Sequence, residues 1–358
     1  MGGGPRSTSE GHGKIAGEVA HDPPQPRALP HVQMGCPVPE YHDNQKRSTP
    51  RCRTIRSLAY RSCCPSGTWL QVIAPLLAAP EMLYVNVGAN KGYNVNSFLS
   101  MFEAGYNVSN TQWHQALLQQ RPQHTKPQAC FDKHHPSKGI PRLCGACCVC
   151  FDAPPRRVSD SRVSVLAVEM MPATARLLQH NFGRFRVTGT VAQVAISNSI
   201  GAKEVHMAIA GEEDLGIGDL PSYRQHEPAP PKRWVNLLTL DALMRSKGLA
   251  HRTIQLLSID VEGFDALVLR GANATLRRTL VVEFEYHKVG VWKHMGFWPT
   301  IDWLAQQHNF RCYWQGDDDS LAPVLAECDA GMKDAFWGNV VCTRSDRLAR
   351  MLETLVKF

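Results

Sequence analysis

The stretch Leu257–Ala272, LSIDVEGFDALVLRGA, constrains the fold more than any other part of the chain. Leu256-Leu-Ser-Ile259 is a short buried-strand pattern. It breaks at Asp260 and Glu262, and Gly263 then permits a tight turn. Phe264, Leu267 and Val268 follow at i, i+3 and i+4, the apolar stripe of a helix. Arg270-Gly271 closes that helix with a cation and a glycine. Two carboxylates therefore fall at the carboxyl end of a strand, where open α/β sheets bind ligands. A capping acid beside a solvated acid would leave the same local pattern.

Strand and helix patterns alternate on both sides of this segment. Trp69–Leu77 carries a helical stripe that ends before Pro80. Met82–Val87 reads as the first core strand, and Val95–Phe102 as a helix. Arg162–Val168, Arg186–Ala195, Glu204–Ile209, Ile254–Ile259, Thr279–Phe284, Phe310–Trp314 and Asn339–Thr343 are further strand candidates. Helical patterns cover Ala173–His180, Leu240–Lys247 and Ile301–Gln307. Such alternation indicates an α/β chain whose sheet is mostly parallel and covered on both faces.

Two regions break the pattern. Residues 1–65 read as a disordered leader rich in Pro, Gly, Ser, His and Arg. Residues 105–160 read as a Cys/His/Pro-rich insertion with one helical candidate near Gln112–Gln120. That leaves 66–104 and 161–358 for the α/β domain. The net charge of +7 follows the same division: 1–80 and 105–160 each carry +4, and the rest of the chain is −1. No nucleic-acid-binding signature accompanies the basic segments, so no nucleic-acid partner is expected. The longest apolar region is broken by Pro75, Pro80 and Glu81, so no membrane span is expected. No secretory signal is visible at the amino terminus, whereas the sequons Asn107-Val-Ser and Asn273-Ala-Thr suit a secretory route. Cytoplasm and secretory lumen both stay open.

VNVGANKGYN, residues 85–94, is a strand, a glycine-bearing turn and a helix start. Gly88 lets the backbone turn sharply beside a ligand, and Gly92 permits close helix–strand contact. The G-x-x-x-G spacing matches neither the dinucleotide fingerprint nor the phosphate loop. It suits S-adenosylmethionine, which carries no phosphate. An acid at the end of the next strand would then accept hydrogen bonds from ribose hydroxyls. Glu169 in VSVLAVEMMP is that acid once 105–160 is excised; a helix-N-terminal acid ahead of Pro172 is the alternative.

These segments, with VEMMPAT, VAQVAISNSIG, VNLLTLDAL, VVEFEYH and WGNVV in order from about residue 81 to 343, resemble the FkbM-type S-adenosylmethionine-dependent methyltransferases. The resemblance implies a Rossmann-like class I methyltransferase fold with a seven-stranded, mostly parallel sheet and an antiparallel last strand. It implies methyl transfer to a hydroxyl of a sugar, glycan or other polyhydroxylated metabolite. It places Gly88, Asn90 and Gly92 at the methionine end of the cofactor, Glu169 at the ribose and Ala195-Ile196-Ser197 near the adenine, with Asn86 and Asp260 also among the cofactor-binding residues. The family usually has Asp where this chain has Asn86, which keeps the shape but not the charge. A catalytically degenerate cofactor-binding or scaffold protein is therefore the alternative reading.

A sugar hydroxyl is a poor nucleophile at neutral pH, so a nearby base helps. Asp260, Glu262 and His287 are the candidates, His287 because it follows Glu283-Phe-Glu285-Tyr at the next strand end. Of Glu283 and Glu285, which share a strand face, one is expected to be structural. Magnesium assistance is conceivable with such carboxylates, but no ligand spacing demands it. Cys144-x-x-Cys147 with Cys148 and Cys150, preceded by Cys130, His134 and His135, fits a zinc site, disulfides or free thiols. A zinc site would make the segment a binding module carried on the methyltransferase fold.

Overall fold

Strand β1 (Glu81–Val87) sends Leu83, Val85 and Val87 to one face and Met82 and Tyr84 to the other, all buried. That two-sided burial is what a central strand of a helix-covered sheet requires. The computed structural model describes residues 49–52, 54–55, 67–120, 142–144, 147, 149–212, 216–218, 229–287, 290–316, 319–328 and 337–357. They belong to one unit, Gln33–Phe358. The leader before residue 49, Cys130, His134, His135, Cys148 and the side chain of His287 lie outside the described residues.

The remaining strands are β2 (Arg162–Val168), β3 (Gly189–Ala192), β4 (Ala195–Ile196), β5 (Gly201–His206), β6 (Lys232–Leu238), β7 (Ile254–Ile259), β8 (Thr279–His287), β9 (Arg311–Gln315), β10 (Leu321–Pro323) and β11 (Trp337–Thr343). The main sheet runs β10-β9-β11-β8-β7-β1-β2-β3. From β3 to β8 neighbours are parallel, while β11 pairs antiparallel with β8 and β9, and β10 antiparallel with β9. Among the described residues the sheet thus has eight strands, not the expected seven. The added strand is short, lies at the outer edge and ends in Pro323, which lacks an N–H and is tolerated there.

A second sheet, β4-β6-β5, was not foreseen. The expected single strand Arg186–Ala195 divides between the two sheets. The register pairs Val168, the last residue of β2, with Ala192. Beyond Ala192 the edge strand has no partner in the main sheet, and Ala195–Ile196 pairs instead with Leu237–Leu238 of β6. The expected strand at Glu204–Ile209 begins earlier and ends at His206.

Helices cover both faces. Thr68–Leu77, Tyr93–Phe102, Asn110–Gln119, Pro172–Arg184 and Asp346–Glu353 contribute to one core, and Leu240–Ser246, Asp265–Arg270, Asn273–Leu276 and Phe297–His308 to the other. The helix Asn110–Gln119, within the stretch read as an insertion, is built into the first core. Trp113 and Leu117 are fully buried, Trp113 stacks on Phe185, and its Nε1 donates to the Lys91 carbonyl at 2.8 Å. Gly92 has φ +81°, and a Cβ there would lie 2.4 Å from Leu178 and 3.0 Å from Trp113. The close contact at Gly92 is therefore with two helices and not with a strand.

Among the described residues three disulfides pin the fold: Cys52–Cys328, Cys144–Cys150 and Cys312–Cys342. Cys312 and Cys342 face each other in register on β9 and β11. Cys147 is disulfide-bonded too. Among the described residues there is no free cysteine and no His/Cys/Asp/Glu group that could hold a metal. For these cysteines the disulfide alternative replaces zinc and free thiols. Cys52 and Ile55, inside the expected leader, are buried in the core. No helix among the described residues is long and apolar enough to cross a membrane.

Removing the Trp113 indole deletes core packing and the bond to Lys91. Trp113→Ala is expected to cost about 3–5 kcal/mol of stability, read from the urea midpoint at constant denaturant slope. A loss near zero would show that this helix is peripheral.

Candidate active site

The strand order reverses at β1 and β7: the chain moves outward from β1 through β2 to β3, then returns to add β7 and β8 on the other side. This switch point leaves a crevice outside the carboxyl ends of the strands, the usual ligand position in open α/β sheets. Gly88 follows β1, Glu169 follows β2 and Asp260 follows β7, so all three lie along that edge.

Hydrogen bonds draw the three segments together. The Gly88 and Ala89 amides both donate to the Val168 carbonyl at 2.9 Å, and the Asp260 amide to the Val87 carbonyl at 2.9 Å. Gly88 has φ +80°, and a Cβ there would fall 1.7 Å from the Asp260 carbonyl oxygen. Only glycine fits, for conformation and for space together. The feature that crowds Gly88 is thus the main chain of Asp260.

Left-handed residues concentrate here. Asn90 has φ +46° and Glu262 φ +55°, flanked by Gly92 and by Gly263 at φ +85°. Non-glycine residues in this region carry backbone strain, which often accumulates at ligand sites. Among the described residues the Asn90 Oδ1 is buried with no hydrogen-bond partner. A buried acceptor left in this state is costly unless a donor arrives.

Glu169 is buried at 7% exposure. Its Oε2 accepts from the Asn90 amide at 2.9 Å and its Oε1 from the Met171 amide at 2.7 Å. Burial pushes its carboxyl up to about 7; the two amides and Lys91 oppose that rise, and Asp260 adds to it. Each oxygen keeps capacity for a second donor. Lys91 was missed in the sequence: it is 2% exposed, and its Nζ donates to the Gly211 carbonyl at 3.0 Å. A lysine inside a Gly-bounded turn that opens an apolar helix was the available signal.

Asn86, Ser258 and Glu283 are register neighbours across β1, β7 and β8. The Asn86 Nδ2 donates to the Tyr84 hydroxyl at 3.0 Å, and that hydroxyl donates to the Ser258 Oγ at 3.1 Å. Asn86 is thus held inside the sheet beneath the Gly88 turn. Burial, and then the nearby Asp260, push Glu283 up to about 7. Glu283 is only half-buried, whereas Glu285 is buried and its amide donates to the Asp265 Oδ1 at 3.2 Å. Glu283 is therefore the more exposed acid of this pair. Asp260 is exposed and Glu262 half-exposed, and Gly216 packs onto the Glu262 side chain and the Val261 carbonyl. His287 ends β8, where its backbone pairs with Trp337.

Beside Glu169 lies a cavity of about 250 Å³ lined by Met170, Pro172, Gln193, Val194, Met207 and residues 233–236 of β6. Trp234 there is 71% exposed. Ala195 packs close by, in a small cluster with Val205, Ile217 and Phe264 against which Met170 and Met207 lie. Ser197 is not brought to the cavity wall: its carbonyl abuts Gly271, behind the helix Asp265–Arg270, and its amide bonds the Leu238 carbonyl. The sequence reading missed the cavity because β6 was not foreseen.

Glu169 generates a pH signature. Its folded carboxyl titrates near 7 against an ordinary value of 4.5. Between these values the folded state keeps a proton that the unfolded state has lost, so stability falls as pH rises through the window. Glu169→Gln is expected to remove that part of the decline. Urea midpoints of wild type and variant should diverge from about pH 5 to about pH 7.5 in favour of the variant; parallel profiles would contradict the assignment.

The family model described as the Methyltransferase FkbM domain matches residues 144–312, which include Glu169, the cavity, Asp260 and Glu283. No match was found among curated proteins. With its carboxylates along the switch-point edge of an α/β sheet, the chain is similar over residues 144–312 to the FkbM methyltransferase domain, which supports a methyltransferase.

Proposed function

We propose that the protein is an S-adenosylmethionine-dependent O-methyltransferase acting on a hydroxyl of a sugar, glycan or other polyhydroxylated metabolite. The observation that carries this reading is the convergence of the Gly88–Gly92 turn, Glu169 and Asp260 on one edge, with the Asn90 Oδ1 buried there without a donor among the described residues.

The residues suit this cofactor. The Asn90 Oδ1 offers an acceptor to an ammonium group, such as that of the methionine moiety. Glu169 offers its remaining lone pairs to ribose hydroxyls. The cavity offers Met170, Val194, Met207 and Trp234 to a flat heterocycle, with Gln193 and Asn236 as polar contacts. Ala195 supports the floor of this cavity, and Ser197 is left out of the binding set. Asn86 contributes through Tyr84, by holding the strand end under Gly88. When bound, S-adenosylmethionine supplies an electrophilic methyl group on a sulfonium.

The chain's own task is to hold an acceptor oxygen in line and to take its proton. Orientation provides most of the rate enhancement in such a displacement. Asp260 is exposed at the strand end and is the first choice of base. Glu283 lies within its electrostatic reach and, titrating near 7, can take the proton onward. Glu262, held in a left-handed conformation, and His287 are proposed to orient the acceptor or share the base role. The carboxylates give the cleft an acidic lining, which suits the hydroxyl groups of a polyol better than an anionic substrate.

Calorimetry with S-adenosylmethionine and its demethylated product is expected to show binding. Glu169→Gln should weaken both by about 10- to 100-fold, as for loss of a charged hydrogen-bond acceptor. Asp260→Asn and His287→Ala should lower turnover more than cofactor affinity, in a labelled-methyl assay over sugars, glycans and small alcohols. Absence of heat with either nucleoside on folded protein sinks the cofactor reading. Normal turnover by both variants sinks the base assignment. Binding without methyl transfer to any acceptor would favour the degenerate binder that Asn86 brings to mind.

A further inference from the structure

We propose that Asn107 is an N-glycosylation site, modified in the oxidising lumen where the chain forms its disulfides. Two independent observations converge on this. The first is redox state: all seven described cysteines are disulfide-bonded, including a link between residues 276 apart in sequence. Disulfides of this kind form and persist in secretory compartments and are rare where thiols are kept reduced. The transferase that modifies Asn-X-Ser/Thr works in such a compartment.

The second is the placement of the sequon. Asn107-Val-Ser109 lies in the loop between the helices Tyr93–Phe102 and Asn110–Gln119, and Asn107 is exposed. Its neighbours hold the loop. The Val108 carbonyl accepts from the Asn96 Nδ2 at 3.0 Å and the Ser100 Oγ at 3.2 Å. Ser109 caps the next helix: its Oγ accepts from the Gln112 amide at 3.2 Å, and its own amide donates to the Gln112 Oε1 at 2.8 Å. The loop is fixed while the Asn107 carboxamide reaches water.

The position also spares the active site. Glu103, just before the loop, bridges Ser161 at the start of β2. The loop is therefore at the amino-terminal edge of the sheet, opposite the cleft, and a glycan there leaves the cleft open. The second sequon differs. Asn273 opens the helix Asn273–Leu276, and Thr275 is 1% exposed with its Oγ1 donating to the Asp241 Oδ1 at 2.6 Å. Of the two, only Asn107 offers both sequon side chains at the surface of a loop.

In the step itself the Asn107 amide nitrogen attacks the anomeric carbon of a polyprenyl-diphosphate-linked oligosaccharide. A C–N bond forms, the C–O bond to diphosphate breaks, the amide loses one proton and the polyprenyl diphosphate leaves.

The test uses full-length protein isolated from its own cells, treated with peptide N-glycosidase and mapped by mass spectrometry. The expected result is a glycan on the Asn107 peptide that is released with conversion of Asn107 to Asp. Asn107→Gln should abolish the associated shift in gel mobility with less than a twofold change in S-adenosylmethionine affinity. Ser109→Thr should retain the glycan and the helix cap, while Ser109→Ala should lose the glycan. An Asn107 found only unmodified, a glycan at Asn273 with Asn107 bare, or Asn107 still modified in Ser109→Ala overturns the proposal.

Discussion

The contact on which the site depends is between two stretches of main chain. The Asp260 amide bonds the Val87 carbonyl, and the Asp260 carbonyl lies where a Cβ of residue 88 would be. This locks the ends of β1 and β7 together at the point where the strand order reverses. The Asp260 position then follows from backbone geometry and not from its own side chain. The same turn hands the Gly88 and Ala89 amides to Val168, which fixes the end of β2 and so the start of Glu169. Three strand ends are set by one glycine.

Electrostatics explains which residues this arrangement tolerates. Asp260 interacts with both Glu169 and Glu283, and like charges in a poorly solvated cleft cannot all ionise cheaply. Lys91 lowers the cost at Glu169, and so do the two amides. At the other end of the row Asn86 is uncharged. A carboxylate there would be buried two strands from Glu283 across Ser258, adding a fourth acid to Asp260, Glu169 and Glu283. The neutral amide donates to Tyr84 and leaves Glu283 as the single acid of that row. The departure from the family pattern at residue 86 is thus consistent with a redistribution of charge within the sheet.

Most of what positions the site was legible in two motifs. LSIDVEGFDALVLRGA announces β7, its turn and its helix, because an apolar run, two acids, a glycine and a helical stripe occur in sequence with little ambiguity. VNVGANKGYN announces β1 and its turn in the same way. The second sheet was less legible for a physical reason. In β6 only the partial burial of Val235, Leu237 and Leu238 marks an inner face, and Trp234 points to solvent, so no clean alternation exists to read. Glu283 and Glu285 could not be separated by sequence because strand period puts them on one face; only the depth of each along β8 tells them apart. The turn around Lys91 offered a signal, but its partner, the Gly211 carbonyl, is 120 residues away and could not be read locally.

The described residues of 105–160 are structurally inseparable from the motif turn. Lys91, Gly92 and Tyr93 form the exit of the motif turn, and each is gripped from elsewhere. Trp113 bonds the Lys91 carbonyl, and the Tyr93 hydroxyl meets the His114 Nδ1 and the Leu143 carbonyl, each at 2.7 Å. Leu143, next to the Cys144–Cys150 disulfide, would be struck by a Cβ at Gly211, the residue that accepts from Lys91. A ring of contacts therefore runs from the turn through residues 113–114 and 143 to 211 and back to the turn. The described parts of residues 105–160 therefore brace the turn through Trp113, His114 and Leu143.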